Sequence, residues 1–244
     1  MMERPFVGPQ IKQEKTIKHL PCSQWRLAML MMSCLAAHAA DTLPSQPNTS
    51  TADQIVRAQQ HFEQITSYQL RIHSLSAQGD KVLMRYSFEK SGWVRMDFTE
   101  PHPGAVLIYD PAKEKVRVWP FGVGTLPVVS LSPTNALVQG PNGHRVDQSD
   151  MGTLLRNIRS LQQGGKTVVF GEETLSGQTV QHLSITGSTN ATVSHVHRYE
   201  IWLESRQEFP VKVVSYAADG QILETVVMDA IVFNLRFPPD FFTP

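Results

Sequence analysis

The stretch YEIWLESRQEFPVKVVSYAADGQILETVV, residues 199–227, decides the fold. Tyr199, Ile201 and Leu203 alternate with Glu200, Trp202 and Glu204. Successive side chains of an extended strand point to opposite faces, so a period of two predicts a strand with one buried face. Pro210 breaks the run, and Val211 and Val213 resume it. Asp219-Gly220 marks a hairpin before Ile222 and Leu223 open a third run. The pattern is an antiparallel meander with neither a nucleophile nor a ligand cluster.

The same rhythm recurs upstream. Between Tyr68 and Trp119 about five strands are expected, each break holding Gly, Pro or charge. Tyr68, Leu70 and Ile72 alternate, and "AVLIYD" and "KVRVWP" flank "DPAKEK". Five further strands fall near 166–174, 178–186, 194–204, 210–217 and 221–235. Two stretches change period. In "TADQIVRAQQHFEQI", Ile55, Ala58, Phe62 and Ile65 share one helical face, with Thr51 and Gln54 at capping-box positions. In "DMGTLLRNIRSLQQ" the stripe is Met151, Leu154, Leu155, Ile158 and Leu161, with Asp147 or Ser149 as cap and Gly164-Gly165 as stop. The segment 120–145, rich in Gly, Pro and Ser, reads as a long loop or irregular lid. The lack of βαβ alternation argues against a parallel sheet. The expected fold is α+β: one large curved antiparallel sheet, a half-open β-barrel, with two amphipathic helices and a lid on its concave side.

The start of the chain reads differently. Arg26 precedes "LAMLMMSCLAAHA", an apolar run shorter than the ~20 residues of a membrane span. With Ala37-His38-Ala39 after it, the run predicts a secretory signal over 1–39, cleavage after Ala39 and a flexible leader over 40–50. Cys34 admits a second reading, lipidation. Both cysteines, Cys22 and Cys34, lie in this segment, so the exported chain has none and rests on its core. Five of the 22 Lys/Arg and two of the 22 Asp/Glu lie in the first 39 residues, leaving 17 basic and 20 acidic residues, a formal charge of −3. That balance speaks against nucleic acid.

Candidate chemistry is sparse. His195 and His197 stand two apart on the expected strand 194–204, with His182 on a neighbour, but no further ligand has matching spacing, so a polar sheet face is favoured over zinc. Glu172, Glu173, Glu200 and Glu204 lie beside turns or on polar faces. The glycine loops lack a phosphate-binding context. Neither an enzyme nor a cofactor is expected. One apolar set stands out: Val82, Met84, Tyr86, Phe88, Val94, Met96 and Phe98 share a face by alternation. It is either core packed under the helices or the lining of a cavity, where Met84 and Met96 would suit adaptable binding.

Three stretches carry a resemblance: "FEKSGWVRMDFTEP", "VLIYDPAKEKVRVW", and the C-terminal meander with Trp202, Pro210, Asp219-Gly220, Asn234 and a Phe/Pro-rich tail. Together they resemble the LolA/LolB/RseB-like group of periplasmic lipoprotein-binding proteins, most closely a LolA-like branch distinct from the carrier itself, over most of residues 51–244. That resemblance implies a half-barrel with a helical lid over a hydrophobic cavity for acyl chains of a lipoprotein or other lipid. It also implies an outer-membrane sorting role in the periplasm or, alternatively, an RseB-like sensor that reads lipoproteins or a membrane-associated partner. The seven apolar residues are then the candidate cavity. One departure matters: where the carriers have an Arg-Pro pair whose arginine helps hold the lid, this chain has Lys90, Ser91 and Gly92.

Overall fold

The apolar stripes fix where the two helices lie. The structure, a computed structural model, describes residues 51–140 and 143–244. The expected signal, leader and Cys34 fall outside these residues. Helix α1 (Thr51–Gln64) buries Ile55 and Ala58 and is followed by buried Ile65. Helix α2 (Met151–Gln162) buries Met151, Leu155, Ile158 and Leu161. Gly152 lets the helices approach closely: a β-carbon there would stand 2.6 Å from the Phe62 ring.

Eleven strands follow the expected rhythm: β1 (Ser67–Ser76), β2 (Lys81–Glu89), β3 (Trp93–Glu100), β4 (Val106–Asp110), β5 (Lys115–Trp119), β6 (Val129–Leu131), β7 (Lys166–Leu175), β8 (Gln178–Thr186), β9 (Arg198–Glu204), β10 (Pro210–Tyr216) and β11 (Ile222–Phe233). They form one antiparallel sheet in the order β6-β5-β4-β3-β2-β1-β11-β10-β9-β8-β7. Every ladder joins sequence neighbours except β1–β11, where Tyr68 faces Phe233 and Ile72 faces Met228. The sheet is not closed, and β6 and β7 are its edges. One hydrophobic cluster gathers both helix stripes with residues from across the sheet, Val116 of β5 and Leu183 of β8 among them. A sheet whose distant strands share one core with two helices is curled around them. It is an open half-barrel with the helices on the concave side.

The convex face has its own apolar cover. Val106, Ile108 and Trp119 bury against Phe242, with Trp93, Phe237 and Phe241 around them. Arg95 and Arg117 hold this C-terminal tail by donating to the carbonyls of Phe241 and Phe242, each at 2.7 Å. Asn234 accepts from the Thr66 amide at 2.9 Å, tying the end of the last strand to the start of β1. Asp110, buried, accepts from the amides of Ala112 and Lys113 and so folds the Tyr-Asp-Pro turn.

Three expectations need correction. Strand β9 begins at Arg198, not at residue 194, because residues 193–196 close a small turn in which Ser194 and His195 have positive φ. The cap of α2 is Asp150, whose carboxylate accepts from the Thr153 amide at 3.0 Å. The segment 120–145 is more than loop: it contributes β6 and a 3-10 turn, Ala136–Val138, and buries Val138 in the core.

Candidate functional site

Six of the seven apolar residues of β2 and β3 pack in the concave core, and Val82 continues their alternation at the start of β2. Met84 pairs with Phe98, Tyr86 with Met96 and Phe88 with Val94 across the ladder. Burial grades along it. Tyr86, Phe88, Val94 and Met96 are buried in the core, whereas Val82, Met84 and Phe98, toward the β1–β2 turn, are half-buried. The buried end is an aromatic lattice. Tyr68 stacks on Phe88 with ring centroids 5.1 Å apart, and Phe62 of α1 reaches Phe88 at 6.1 Å. Such pairs add to simple burial. The helices make their most extensive backbone contacts with the sheet at β8 and β7. The β2–β3 wall is met instead by long side chains.

Hydrogen bonds from two stacked tyrosines hold the start of α2 to that wall. The Met151 amide donates to the Tyr68 hydroxyl at 3.2 Å, and the Tyr68 ring stacks on that of Tyr86 with centroids 5.9 Å apart. Tyr86 lies 3.0 Å from Ser149 Oγ, which donates to the Val146 carbonyl at 2.7 Å. With its own proton committed to Val146, Ser149 accepts from Tyr86. Helix N-termini leave amides without intrahelical partners, and Tyr68 supplies one. Desolvation by burial raises the pKa of Tyr68 and Tyr86 well above the ordinary phenol range, and that of Tyr199 to about 12. Lys90 reaches the Glu63 carbonyl near the end of α1. A cation there satisfies a terminal carbonyl and complements the helix dipole.

Two cavities are prominent among the described residues. One, about 510 Å³, is lined by Arg71, Arg85, Asp97, Thr99, Val106 and Ala230, with Met84 and Phe98 beside them. Alternation places Arg71, Arg85 and Asp97 opposite the concave set, so this cavity opens on the convex side. Its cations are engaged: Arg71 pairs with Asp229 at 2.6 Å, and Arg85 lies 3.8 Å from Asp97. The hydrogen bond from Arg71 holds the Asp229 carboxyl below its usual range. The second, about 410 Å³, has Phe209, Val211, Met228, Ile231 and Phe233 inside and Glu204, Arg206 and Gln207 on its rim. It sits where β11 bulges at Ala230. Sequence reasoning missed it, because a bulge places residues of both faces on one cleft and leaves no alternation to read.

The polar candidates do not converge. His195 lies in the turn before β9, and His197 bonds through Nδ1 to the Ala191 carbonyl at 2.7 Å. His182 stands apart on the convex face, stacked between Phe170 and Trp202 at 4.3 and 4.0 Å. Glu173 bonds to His182 at 2.6 Å and accepts from the Trp202 indole at 3.1 Å. These bonds, that from His182 foremost, lower the Glu173 carboxyl below its usual range. Glu204 accepts from the amides of Arg206 and Gln207, and Glu200 pairs with Arg198. Among the described residues no three His, Cys, Asp or Glu are grouped to hold a metal. No helix among them is long and apolar enough to cross a membrane.

No family model and no curated protein matches the chain. Solved structures resemble it in fold, and one of them is a LolA superfamily protein. A LolA superfamily protein from Nitrosomonas europaea aligns at 12% identity and TM-score 0.33, covering 79% of this chain and 96% of that one. The lipoprotein LppX of Mycobacterium tuberculosis aligns at 9% and 0.46, covering 77% and 96%. MucB of Pseudomonas aeruginosa, solved in complex with MucA, aligns at 17% and 0.45. There the alignment covers 79% of this chain but 60% of that one.

Proposed function

We propose that this is a non-enzymatic, periplasmic binding protein for acyl chains, those of a lipoprotein or another lipid, serving outer-membrane lipoprotein sorting. The observation that carries the reading is the graded burial of the β2–β3 wall. Val82, Met84 and Phe98 remain half-buried on an apolar concave face whose helices make their most extensive backbone contacts at the β7–β8 edge. Apolar surface left in contact with water forgoes roughly 25 cal/mol per Å². An acyl chain entering along Met84 and Phe98 recovers it, and the flexible thioether of Met84 adapts to its shape. Tyr86, Phe88, Val94 and Met96 form the deep end, reached when the helices move outward.

A fluorescent fatty acyl probe tests this directly. Wild type should take up the probe, and Met84→Asp and Phe98→Asp should lose at least about tenfold in affinity while keeping their circular dichroism, because a charge is unfavourable beside an acyl chain. No uptake by wild type, or full uptake by both variants, refutes the reading. A second reading, a sensor that binds a lipoprotein or a membrane-associated partner, is favoured by the 410 Å³ cleft, whose apolar floor and polar rim suit a peptide. Its mark would be binding abolished by Ile231→Asp with acyl uptake intact.

A further inference from the structure

Residues 120–128 join β5 to β6 and place large apolar side chains in water. Leu126 is 84% exposed and Phe121 70%, with Val123 and Val128 also exposed. Contiguous apolar exposure of this kind marks an interaction site. The composition says with what. From Pro120 to His144 the sequence contains no Lys, Arg, Asp or Glu. Protein interfaces carry a polar rim, whereas an apolar lipid phase excludes charge and accepts backbone only where its polar groups are satisfied. The connection meets that condition in part through its own bonds. Gly122 and Thr125 donate their amides to Trp119 and Gly122, and the Thr125 hydroxyl turns inward to the Gly122 carbonyl at 2.6 Å. Pro120 and Pro127 have no N–H to satisfy. Strand direction places this connection at the same end of the sheet as the β1–β2, β3–β4 and β10–β11 turns. Leu75 and Ile222, both exposed, lie at that end as well.

We propose that the β5–β6 connection inserts Phe121 and Leu126 into the interfacial layer of a lipid bilayer. The charged residues of neighbouring turns at this end, Asp80, Lys81 and Glu100, then stand at headgroup level. The insertion is driven by apolar burial and is therefore insensitive to salt and to anionic lipid. This goes beyond acyl binding and does not depend on it.

The test places a single added indole and asks whether lipid reaches it. Full-length Phe121→Trp and Leu137→Trp are mixed with zwitterionic phosphatidylcholine vesicles carrying bromine on the acyl chains, and the emission of the four native tryptophans is subtracted using wild type. Leu137 is 83% exposed but lies beyond the opposite end of β6, so it reports adsorption in any other orientation. The expected result is a blue shift and loss of the added emission at 121, unchanged in high salt, and neither at 137. Absence of quenching at 121, equal quenching at 137, or quenching abolished by salt overturns the proposal. Acyl-probe uptake without vesicles separates the two readings. Uptake failing in wild type while 121 is quenched sinks acyl binding alone; uptake intact with 121 unquenched sinks insertion alone.

Discussion

Tyr68→Phe and Tyr86→Phe each remove one oxygen from the stacked tyrosine pair beside α2, yet they should not cost the same. Tyr68 is the partner of the Met151 amide at the start of α2. Its loss leaves a buried donor unsatisfied, a penalty of about 1–3 kcal/mol. Tyr86 donates to Ser149, whose hydroxyl keeps its bond to the Val146 carbonyl. Its loss costs an ordinary net hydrogen bond, about 1 kcal/mol. Urea unfolding at pH 7, followed by far-ultraviolet dichroism, measures the difference. The alkaline limb supplies a second readout. Burial raises both phenols in the folded protein, while in the unfolded chain each ionises near its ordinary value of 10. Their stability is therefore whole below about pH 10 and falls as pH rises above it, by up to about 1.4 kcal/mol per pH unit for each tyrosine. Tyr199, raised to about 12, adds its share only between these limits. The double phenylalanine variant should start lower at pH 7 and fall less steeply above pH 10. Equal losses at pH 7, or an unchanged alkaline slope, would refute the two tyrosines as the latch of α2.

Gly165→Ala should destabilise by about 1–3 kcal/mol or more, because its β-carbon would stand 2.3 Å from the carbonyls of Leu161 and Thr186; thermal unfolding checks it. Truncation after Arg236 should uncover Val106, Ile108 and Trp119 and shift tryptophan emission to the red, with α2 and the concave core intact by hydrogen exchange. The exported form is expected to begin near Ala40, and N-terminal sequencing that finds an acylated Cys34 excludes simple cleavage.

Much of the fold was legible because alternation and helical stripes are local. Tyr199, Ile201 and Leu203 alternate and do bury together, and the stripes of α1 and α2 both face the core. Strand β6 escaped because its three residues are mostly exposed and sit among Pro and Ser. Ser149 attracted the capping role by position, whereas the cap is the residue with extended backbone, Asp150. No local pattern marks the pairing of β1 with β11 or the docking of Phe237, Phe241 and Phe242 on the convex face, since both depend on residues far apart in sequence. At the candidate site, alternation found which residues share a wall. It had no access to the gradation between buried Met96 and half-buried Met84, which is set by what lies above them.

The single nonlocal ladder has a consequence for how the chain is made. Each half-sheet, β1–β6 and β7–β11, is a run of short hairpins that zip from nearby contacts. The ladder between β1 and β11 joins residues such as Tyr68 and Phe233 and must close nearly the whole described chain into one loop. Loop closure entropy is spent before such contacts form, so this seam sets the pace of folding. A chain that emerges from its N-terminus first presents β1 with one edge unpaired until the final strand arrives. Throughout that interval Tyr68, Leu70 and Ile72 lack their last neighbour, and the young protein is a strand-capture hazard that its finished form is not.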